Sequence, residues 1–391
     1  MVVPIIGRLV AAVAGALLVL TAGASVIGTL MVPRPVGNWL TRWVDRIVNG
    51  AFRLATDAIA DYRRRDRVRD GLAAGAIADY KRRDRVLAGQ AAAILLAQLA
   101  AWLGISFIGY SLLLWPMVTG GVASAFSAAG SSLFTLGFAV PAGAAPSAVV
   151  FAAAATGLVI VTLQIAYLPT LYAAFNRRET EVALLNARAG VPSWGPELLA
   201  RTHYALGSGV STIDTLPDLY AQWERWAADV TESHTTYLPL VRFRSPGALS
   251  SWVTALLAVL DSAALYLALS PKSAPVVPAR LCLRAGFLCF NRIAQAMGIE
   301  VPDEPDPSGG ISLSYQDFLE AVDRMRKVDF PIERDPADAW ADFAGWRVNY
   351  ERAAYGVAAA VDAVPALWSG PRRHSVPAIP PIRPALGRPP K

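Results

Sequence analysis

A long stretch without charged side chains constrains this chain more than any other feature of its sequence. Neither Asp, Glu, Lys nor Arg occurs between Val86 and Asn176. A membrane-spanning helix needs about 20 consecutive apolar residues, so this stretch can hold two such helices and the connection between them. Hydrophobic residues make up 54% of the 391 residues, more than an ordinary water-soluble protein carries. The sequence therefore predicts a membrane protein.

Three membrane-spanning helices are expected. The first is the apolar run from Leu9 to Met31, and the other two lie at about residues 91–115 and 148–175. The first run could instead be a signal peptide, because Ala22-Gly23-Ala24 resembles a cleavage site, but the run continues beyond that site. Residues 32–88 are rich in arginine, which places them in the cytoplasm by the positive-inside rule. We therefore expect a multi-pass protein of the cell membrane with its N-terminus outside.

The connection between the second and third helices, Met117 to Pro146, is external in this topology. It contains no charged residue, whereas a loop exposed to water usually carries several. We therefore expect it to dip back into the membrane, where non-helical backbone is tolerated only if protein or a water-filled cavity covers it. A loop lying flat on the outer bilayer surface is the alternative.

The centre of this connection reads Thr135-Leu136-Gly137-Phe138-Ala139, preceded by a segment of small residues from Gly121 to Phe134. A helix, a re-entrant segment with such a run and a second helix resemble the pore module of potassium channels, here over residues 89–176. Filter carbonyl oxygens in that family replace the hydration shell of the ion. The resemblance implies that Thr135 to Ala139 form the filter, that Ser131 and Ser132 belong to a pore helix, and that four chains surround one pore.

The filter residues differ from the family pattern at two points. Gly137 can adopt the positive φ that turns a carbonyl inward, and Leu136 and Phe138 are expected to pack against the pore helix. However, Ala139 replaces the second glycine, and a left-handed conformation there would cost roughly 1–2 kcal/mol per subunit. No acidic residue follows the filter. These departures leave open a module that does not conduct.

The third helix contains two residues that interrupt a regular helix pattern. Gly157 lies eighteen residues beyond Ala139 and is a candidate hinge of the inner helix. Pro169 is expected to bend the cytoplasmic end of the same helix. Because glycine is common in membrane helices as a close-packing residue, a packing role for Gly157 is the alternative.

The basic segment between the first two spans contains a repeat. Residues 58–68, AIADYRRRDRV, and residues 76–86, AIADYKRRDRV, are eighteen residues apart. Eighteen residues make five helical turns, so one helix from Asp57 to Val86 would present both copies on the same side. Such a helix could contact anionic lipid head groups, and a solvated charged helix is the alternative. The cluster predicted to face lipid consists of Arg63, Arg64, Arg65, Arg82 and Arg83.

The C-terminal half is predicted to form an all-helical cytoplasmic domain, residues 177–369, followed by a disordered Pro- and Arg-rich tail, residues 370–391. The run from Leu249 to Leu269 is apolar enough to span a membrane, but Asp261 near its centre favours a buried core helix. A capping box at Ser314 and the pair Asp335-Pro336 predict two helix starts, and the second helix should reach Ala363.

The predicted fold is thus an all-α membrane protein with three transmembrane helices, a re-entrant pore loop and a helical cytoplasmic C-terminal domain. We find no nucleophile, phosphate-loop, metal, cofactor or nucleic-acid motif, so an enzyme is not expected. The expected function is a potassium-channel-like pore that conducts K+ or another monovalent cation as a homotetramer in contact with membrane lipids. The alternative is a non-conducting, membrane-anchored interaction or signalling protein with a channel-derived transmembrane module. The excess of arginine over lysine suggests a bacterial source.

Overall fold

The computed structural model describes residues 2–32, 39–57, 73–202, 212–302, 305–306 and 310–370. Within these ranges the chain is helical, with turns and coil between the helices and no β-strand. The all-α class is therefore confirmed. Four helical segments of the described part are long and apolar enough to cross a membrane, namely Ile6–Leu30, Tyr80–Leu114, Ala144–Ala189 and Trp252–Leu269. The second of them contains a turn at residues 88–89.

Thirteen α-helices follow one another in the described ranges. They are α1 (Val2–Leu30), α2 (Trp39–Asp57), α3 (Ala73–Leu87), α4 (Gln90–Leu114), α5 (Gly121–Leu133), α6 (Ala144–Ala189), α7 (Gly195–Thr202), α8 (Leu216–Thr236), α9 (Trp252–Leu269), α10 (Val276–Ala296), α11 (Tyr315–Arg326), α12 (Pro336–Arg347) and α13 (Glu351–Ala360).

The helices of the charge-free stretch lie close to their predicted positions. Helix α4 begins one residue before the predicted second span, and α5 covers the segment predicted as a pore helix. Helix α6 begins at Ala144 and continues without a break to Ala189, well past the predicted end at Phe175. It contains Pro169.

The chain folds as two compact units. The first comprises Met1–Leu54 and Gly89–Ala173, and the second comprises Ala55–Ala88 and Ala174–Lys391. In the first unit, α1 packs along α4 where two glycines meet. A Cβ added to Gly15 would lie only 2.5 Å from the carbonyl oxygen of Gly109. Small residues at this crossing allow the two backbones to approach closely, as is typical of helices that pack within a membrane.

Helix α1 also presents an apolar face that no described residue covers. Leu9, Val13, Leu17 and Leu20 have exposed fractions of 55–68%. Residues spaced by three or four positions lie on one side of a helix, so these side chains form a continuous stripe. Such a surface is costly in water and favourable against lipid chains.

In the second unit, α9 lies at the centre of the domain. Its apolar window is 94% buried, compared with 28–33% for the other three candidate spans. The Asp261 carboxylate accepts hydrogen bonds from the Arg347 guanidinium and, at 2.7 Å, from the Tyr350 hydroxyl. A buried carboxylate with an ionic partner and a second donor avoids the cost of an isolated buried charge. Protein therefore surrounds α9 on all sides.

The helix predicted from Asp335 to Ala363 is wrong in one respect, because it is interrupted. Helix α12 ends at Arg347 and α13 begins at Glu351. The Asn349 side-chain amide donates to the carbonyl oxygens of Gly345, at 2.9 Å, and Trp346, at 3.1 Å. Those carbonyls belong to the last turn of α12, and capping them from a side chain ends the helix there.

The predicted helix starts are confirmed by their capping hydrogen bonds. The Ser314 hydroxyl accepts from the Asp317 N–H at 3.1 Å, and the Asp317 carboxylate accepts from the Ser314 N–H at 3.3 Å. Together they form a capping box with Asp in place of the usual Glu. The Asp335 carboxylate likewise accepts from the Ala337 N–H at 2.9 Å.

The single basic helix predicted from Asp57 to Val86 is wrong. The Arg83 guanidinium donates to the carbonyl oxygen of Thr56 at 2.8 Å. These residues are 27 positions apart, and one straight helix would separate them by about 40 Å. The end of α2 therefore lies beside the last turns of α3. The first copy of the repeat, residues 58–68, lies outside the described residues.

Candidate functional site

The candidate site is built by α5, the segment from Phe134 to Gly143 and the first half of α6. Helix α5 follows the end of α4 after a short turn, and it has 13 residues, or a length of about 20 Å. Its last carbonyl oxygen, that of Leu133, abuts Gly157, where an added Cβ would lie 1.9 Å away. Gly157 is thirteen residues into α6, so α5 ends about 20 Å along α6 from its start.

Helix α4 contributes the third wall of this arrangement. The Tyr110 hydroxyl lies 2.7 Å from the Thr156 hydroxyl and donates to the Ala152 carbonyl oxygen at 3.2 Å. Tyr110, Ala129 and Leu133 are buried in one cluster between α4, α5 and α6. The level at which α5 ends is therefore set by packing against both long helices of the first unit.

The C-terminus of α5 closes with a Schellman motif centred on Thr135. The Thr135 N–H donates to the Ser132 carbonyl oxygen at 2.9 Å, and the Leu136 N–H donates to that of Ser131 at 2.7 Å. Thr135 has a φ of 56°, the left-handed conformation that such a cap requires. A β-branched residue rarely adopts this conformation, so the cap is strained at Thr135.

Ser131 holds the predicted filter segment against the helix end. Its carbonyl oxygen also accepts from the Gly137 N–H at 3.1 Å, and its hydroxyl accepts from the Ala139 N–H at 2.9 Å. Ser131 and Ser132 are both buried, with exposed fractions of 1% and 7%. Ser131 therefore binds the N–H groups of three residues in the segment that the sequence singled out.

Gly137 has the conformation expected from the sequence, but the backbone strain predicted at Ala139 occurs at Thr135 instead. Gly137 has a φ of 73°, as expected for a residue that turns a carbonyl. Ala139 is not among the residues with a positive φ, so the expected strain there is absent. Thr135 carries it instead, because the helix cap places the left-handed conformation directly after α5.

The carbonyl oxygens of residues 135–139 differ from the N–H groups of the same segment in their hydrogen bonding. Among the described residues, none donates a hydrogen bond to any of these five oxygens. Four of the five backbone donors of the segment are therefore bound to α5, and its five carbonyl acceptors are available to an external partner. Backbone carbonyl oxygens of this kind can coordinate a cation or water.

Leu136 and Phe138 do not pack against α5 as expected. They are 65% and 67% exposed, and their neighbours Phe134 and Val140 are 47% and 78% exposed. These four alternate residues form an apolar patch on the segment. A patch of this kind marks a surface that another apolar partner covers.

Gly157 and Pro169 lie on the same helix in different environments. Gly157 faces the end of α5, where any larger residue would meet the Leu133 carbonyl group. Pro169 is exposed and lies inside the uninterrupted α6. The close contact at Gly157 is the packing role that the sequence analysis held as the alternative, while the predicted hinge motion at either residue stays a prediction.

The predicted lipid-facing cluster divides into residues of different kinds. Arg63, Arg64 and Arg65 lie outside the described residues. Arg82 is exposed. Arg83 is only 6% exposed and forms an ion pair with Asp362 at 3.1 Å. Arg83 thus faces the protein of the second unit, and the prediction that it faces lipid is wrong.

Two buried polar clusters of the second unit were not predicted from the sequence. In one, the Arg244 guanidinium binds the Asp84 carboxylate and the Tyr80 hydroxyl, both from the second repeat copy. The alternation of Tyr, Arg and Asp in the repeat was read as a charged surface. Only the tertiary fold reveals that one side of α3 is buried.

The other cluster surrounds Arg178, near the end of α6. Its guanidinium binds the Glu179 carboxylate, the His234 Nε2 atom at 2.9 Å and two backbone carbonyl oxygens. His234 Nδ1 also lies 3.0 Å from the Ser233 hydroxyl. Burial, together with the Arg178 charge, holds the pKa of His234 well below its usual value. Ser233 and His234 are thus buried structural groups without access to a substrate.

Within the described ranges, no group of three or more His, Cys, Asp or Glu side chains is placed to hold a metal ion. No protein-family model, curated protein or solved structure matches this chain.

Proposed function

We propose that this chain is a potassium-channel-like membrane protein in which four copies surround a cation-conducting pore. The observation that carries the proposal is the difference in hydrogen bonding between the N–H groups and the carbonyl groups of the segment from Thr135 to Ala139. Four of its five N–H groups, all except that of Phe138, are bound to the end of α5, whereas its carbonyl oxygens accept no hydrogen bond within the described chain. A filter needs this combination, because the oxygens must be free for the ion while the backbone is held from behind.

The depth of α5 supports a re-entrant position for this segment. If α4 and α6 cross the bilayer, α5 ends at Gly157, about 20 Å along α6 from Ala144. The chain then returns to the start of α6 within the ten residues from Phe134 to Gly143. A hydrocarbon core about 30 Å thick would place residues 135–139 inside the membrane rather than on its surface.

The negative end of α5 supports a cation as the ligand. The helix dipole places partial negative charge at the C-terminal carbonyl groups, next to Thr135. No charged side chain lies between Val86 and Asn176 to offset it. The permeant species would be K+ or another monovalent cation.

The exposed loop supports assembly. Non-helical backbone at membrane depth must be covered by protein or must line a water-filled cavity. The apolar side chains at 134, 136, 138 and 140 are exposed in one chain. In the proposed tetramer, neighbouring copies cover these side chains, and the carbonyl oxygens face the shared axis.

In this proposal, α1, α4 and α6 span the cell membrane, with the N-terminus outside and the second unit in the cytoplasm. Helix α9 is a core helix of the cytoplasmic domain, because protein covers its whole surface and Asp261 is paired within it.

A flux assay in proteoliposomes tests the conduction claim. We expect K+ efflux from vesicles that contain the full chain, and loss of most of that efflux in Gly137→Ala. A side chain at a φ of 73° is strained by roughly 1–2 kcal/mol in every subunit. The matched control is Gly104→Ala in α4, where an added Cβ meets nothing within 4 Å.

Mass measurement of the detergent-extracted complex tests the assembly. Four chains per particle are expected. Particles of four chains with background flux, and with no difference between Gly137→Ala and Gly104→Ala, would refute conduction. They would favour the second candidate, a membrane-anchored interaction or signalling protein that retains the module without conducting. The absence of an acidic residue after Ala139 favours that candidate, because no carboxylate ring gathers cations at the outer mouth.

A further inference from the structure

Helix α2 carries an exposed apolar stripe that the proposed pore does not use. Trp39, Trp43, Ile47 and Leu54 have exposed fractions of 56%, 55%, 57% and 76%. Their spacing of four, four and seven residues places all four on one side of a helix. The stripe is thus a continuous apolar surface along nearly the whole length of α2.

Arginines line one edge of this stripe. Arg42, Arg46 and Arg53 each precede a stripe residue by one position, and all three side chains are exposed. At 100° per residue they form a second row immediately beside the apolar row. Asp45, the acidic residue in the middle of α2, lies on a different side and contacts Gln98 of α4 at 3.4 Å.

Other residues of α2 attach it to the first unit. The Gln90 amide donates to the Asn49 amide oxygen at 2.8 Å, and Leu40 is buried in a cluster with Val26 and Trp102. These contacts come from α1 and α4, two of the helices apolar enough to span a membrane. The tryptophan and arginine side chains stay exposed beside these contacts.

We propose that α2 is a lipid-binding helix that lies in the head-group region of an anionic bilayer. The tryptophan, isoleucine and leucine side chains enter the boundary between head groups and acyl chains, and Arg42, Arg46 and Arg53 bind lipid phosphates. Tryptophan prefers this boundary because its ring is apolar and its indole N–H is polar. Arginine binds phosphate with a planar fork of donors and reaches the head groups from a buried stem.

The arginine row indicates that lipid, and not a second copy of this chain, covers the apolar stripe. Three like charges beside an apolar stripe complement an anionic lipid surface, whereas the centre of a protein interface is depleted of such charges. The inference rests on the membrane position of the first unit in the proposed function, and it is independent of conduction.

Spin labels on the full chain in nanodiscs test the position of the stripe. We expect a label at Ile47→Cys to collide with oxygen, which concentrates in lipid, more than with a water-soluble nickel complex. A label at Ala55→Cys, which is exposed about 80° from Ile47 and about 120° from the centre of the stripe on the same helix, should show the reverse. Cys282 and Cys289 are buried and stay unlabelled.

The other two outcomes of that experiment overturn the proposal. Equal nickel access at both positions would place the stripe in water. Access to neither reagent at Ile47→Cys would mean that protein covers it, and a second copy would be the occupant. Leu54→Cys repeats the test at the far end of the stripe, in case the first variant does not fold.

Native mass spectrometry of the full chain in detergent, with phosphatidylglycerol added, tests whether the bound lipid is anionic. We expect each of Arg42→Gln and Arg46→Gln to weaken phosphatidylglycerol binding about fivefold, which corresponds to about 1 kcal/mol per arginine near an anionic surface. Binding of phosphatidylcholine should change little, and Arg292→Gln, exposed on α10, should bind phosphatidylglycerol like the native chain. Unchanged phosphatidylglycerol binding in both α2 variants would overturn the assignment, even if the flux assay succeeds.

Discussion

Replacement of Gly157 by alanine tests how the candidate pore segment is held. The added Cβ would lie 1.9 Å from the Leu133 carbonyl oxygen and 2.9 Å from its carbonyl carbon. An ordinary contact begins near 3.4 Å, so α5 and α6 would have to separate locally by about 1.5 Å. Both partners are backbone groups of helices, and neither can rotate away as a flexible side chain would.

The separation would reach the predicted filter through the α5 cap. Leu133 lies between Ser131 and Thr135, and the Ser131 hydroxyl holds the Ala139 N–H at 2.9 Å. A displacement of this size is enough to break that bond. Overpacking of this kind costs typically 1–3 kcal/mol, and the cost recurs in every subunit of an oligomer. We therefore expect Gly157→Ala to unfold at a lower temperature and to lose cation flux.

Thermal unfolding of the detergent-solubilised chain and flux from proteoliposomes should be measured together, with Gly104→Ala as the control. A hinge role for Gly157 predicts a different pair of results, since a stiffer α6 would change flux and leave the unfolding temperature unchanged. If Gly157→Ala matches the control in both measurements, the close contact between α5 and α6 is not what positions the segment.

Two further predictions concern the second unit. Arg347→Met should lower the free energy of unfolding by about 3–5 kcal/mol, because Asp261 and Glu351 lose a buried ionic partner. In the same thermal or denaturant unfolding experiment, Arg326→Met, which removes an exposed ion pair, should lower it by less than about 1 kcal/mol. Equal losses in the two variants would contradict this account. Burial and a neighbouring cation lower the pKa of His234 in the folded state, so the unfolded state takes up the proton first as the pH falls. The free energy of unfolding should therefore decrease below pH 6.5, by up to about 1.4 kcal/mol per pH unit. Melting temperatures between pH 7.5 and 5 should show this decrease, and the decrease should be shallower in His234→Gln.

The buried arginines show how the second unit is organised. Arg178, Arg244 and Arg347 come from distant parts of the sequence, and each binds carboxylates and backbone carbonyl oxygens together. A guanidinium has five donors, so one side chain can satisfy several carbonyl groups at the ends of helices. Removing such a residue leaves several acceptors without partners, which is why a large loss of stability is expected.

The local elements of this protein follow from the sequence. The charge-free stretch, the small residues of α5 and the caps at Ser314 and Asp335 predict helices within a few residues of those observed. Helix formation depends on neighbours three or four positions apart, and these are present in the sequence itself. The positive φ of Gly137 follows for the same reason, since glycine pays little to adopt it.

The long-range contacts were decided only by the tertiary structure. The sequence does not indicate that Arg83 is buried against Asp362, that Asn349 divides a predicted helix, or that the left-handed residue is Thr135 rather than Ala139. Whether a charged or apolar residue faces solvent, lipid or protein depends on partners far away in the chain. Local periodicity determines which side of a helix is apolar, but only packing against those distant partners determines what covers that side.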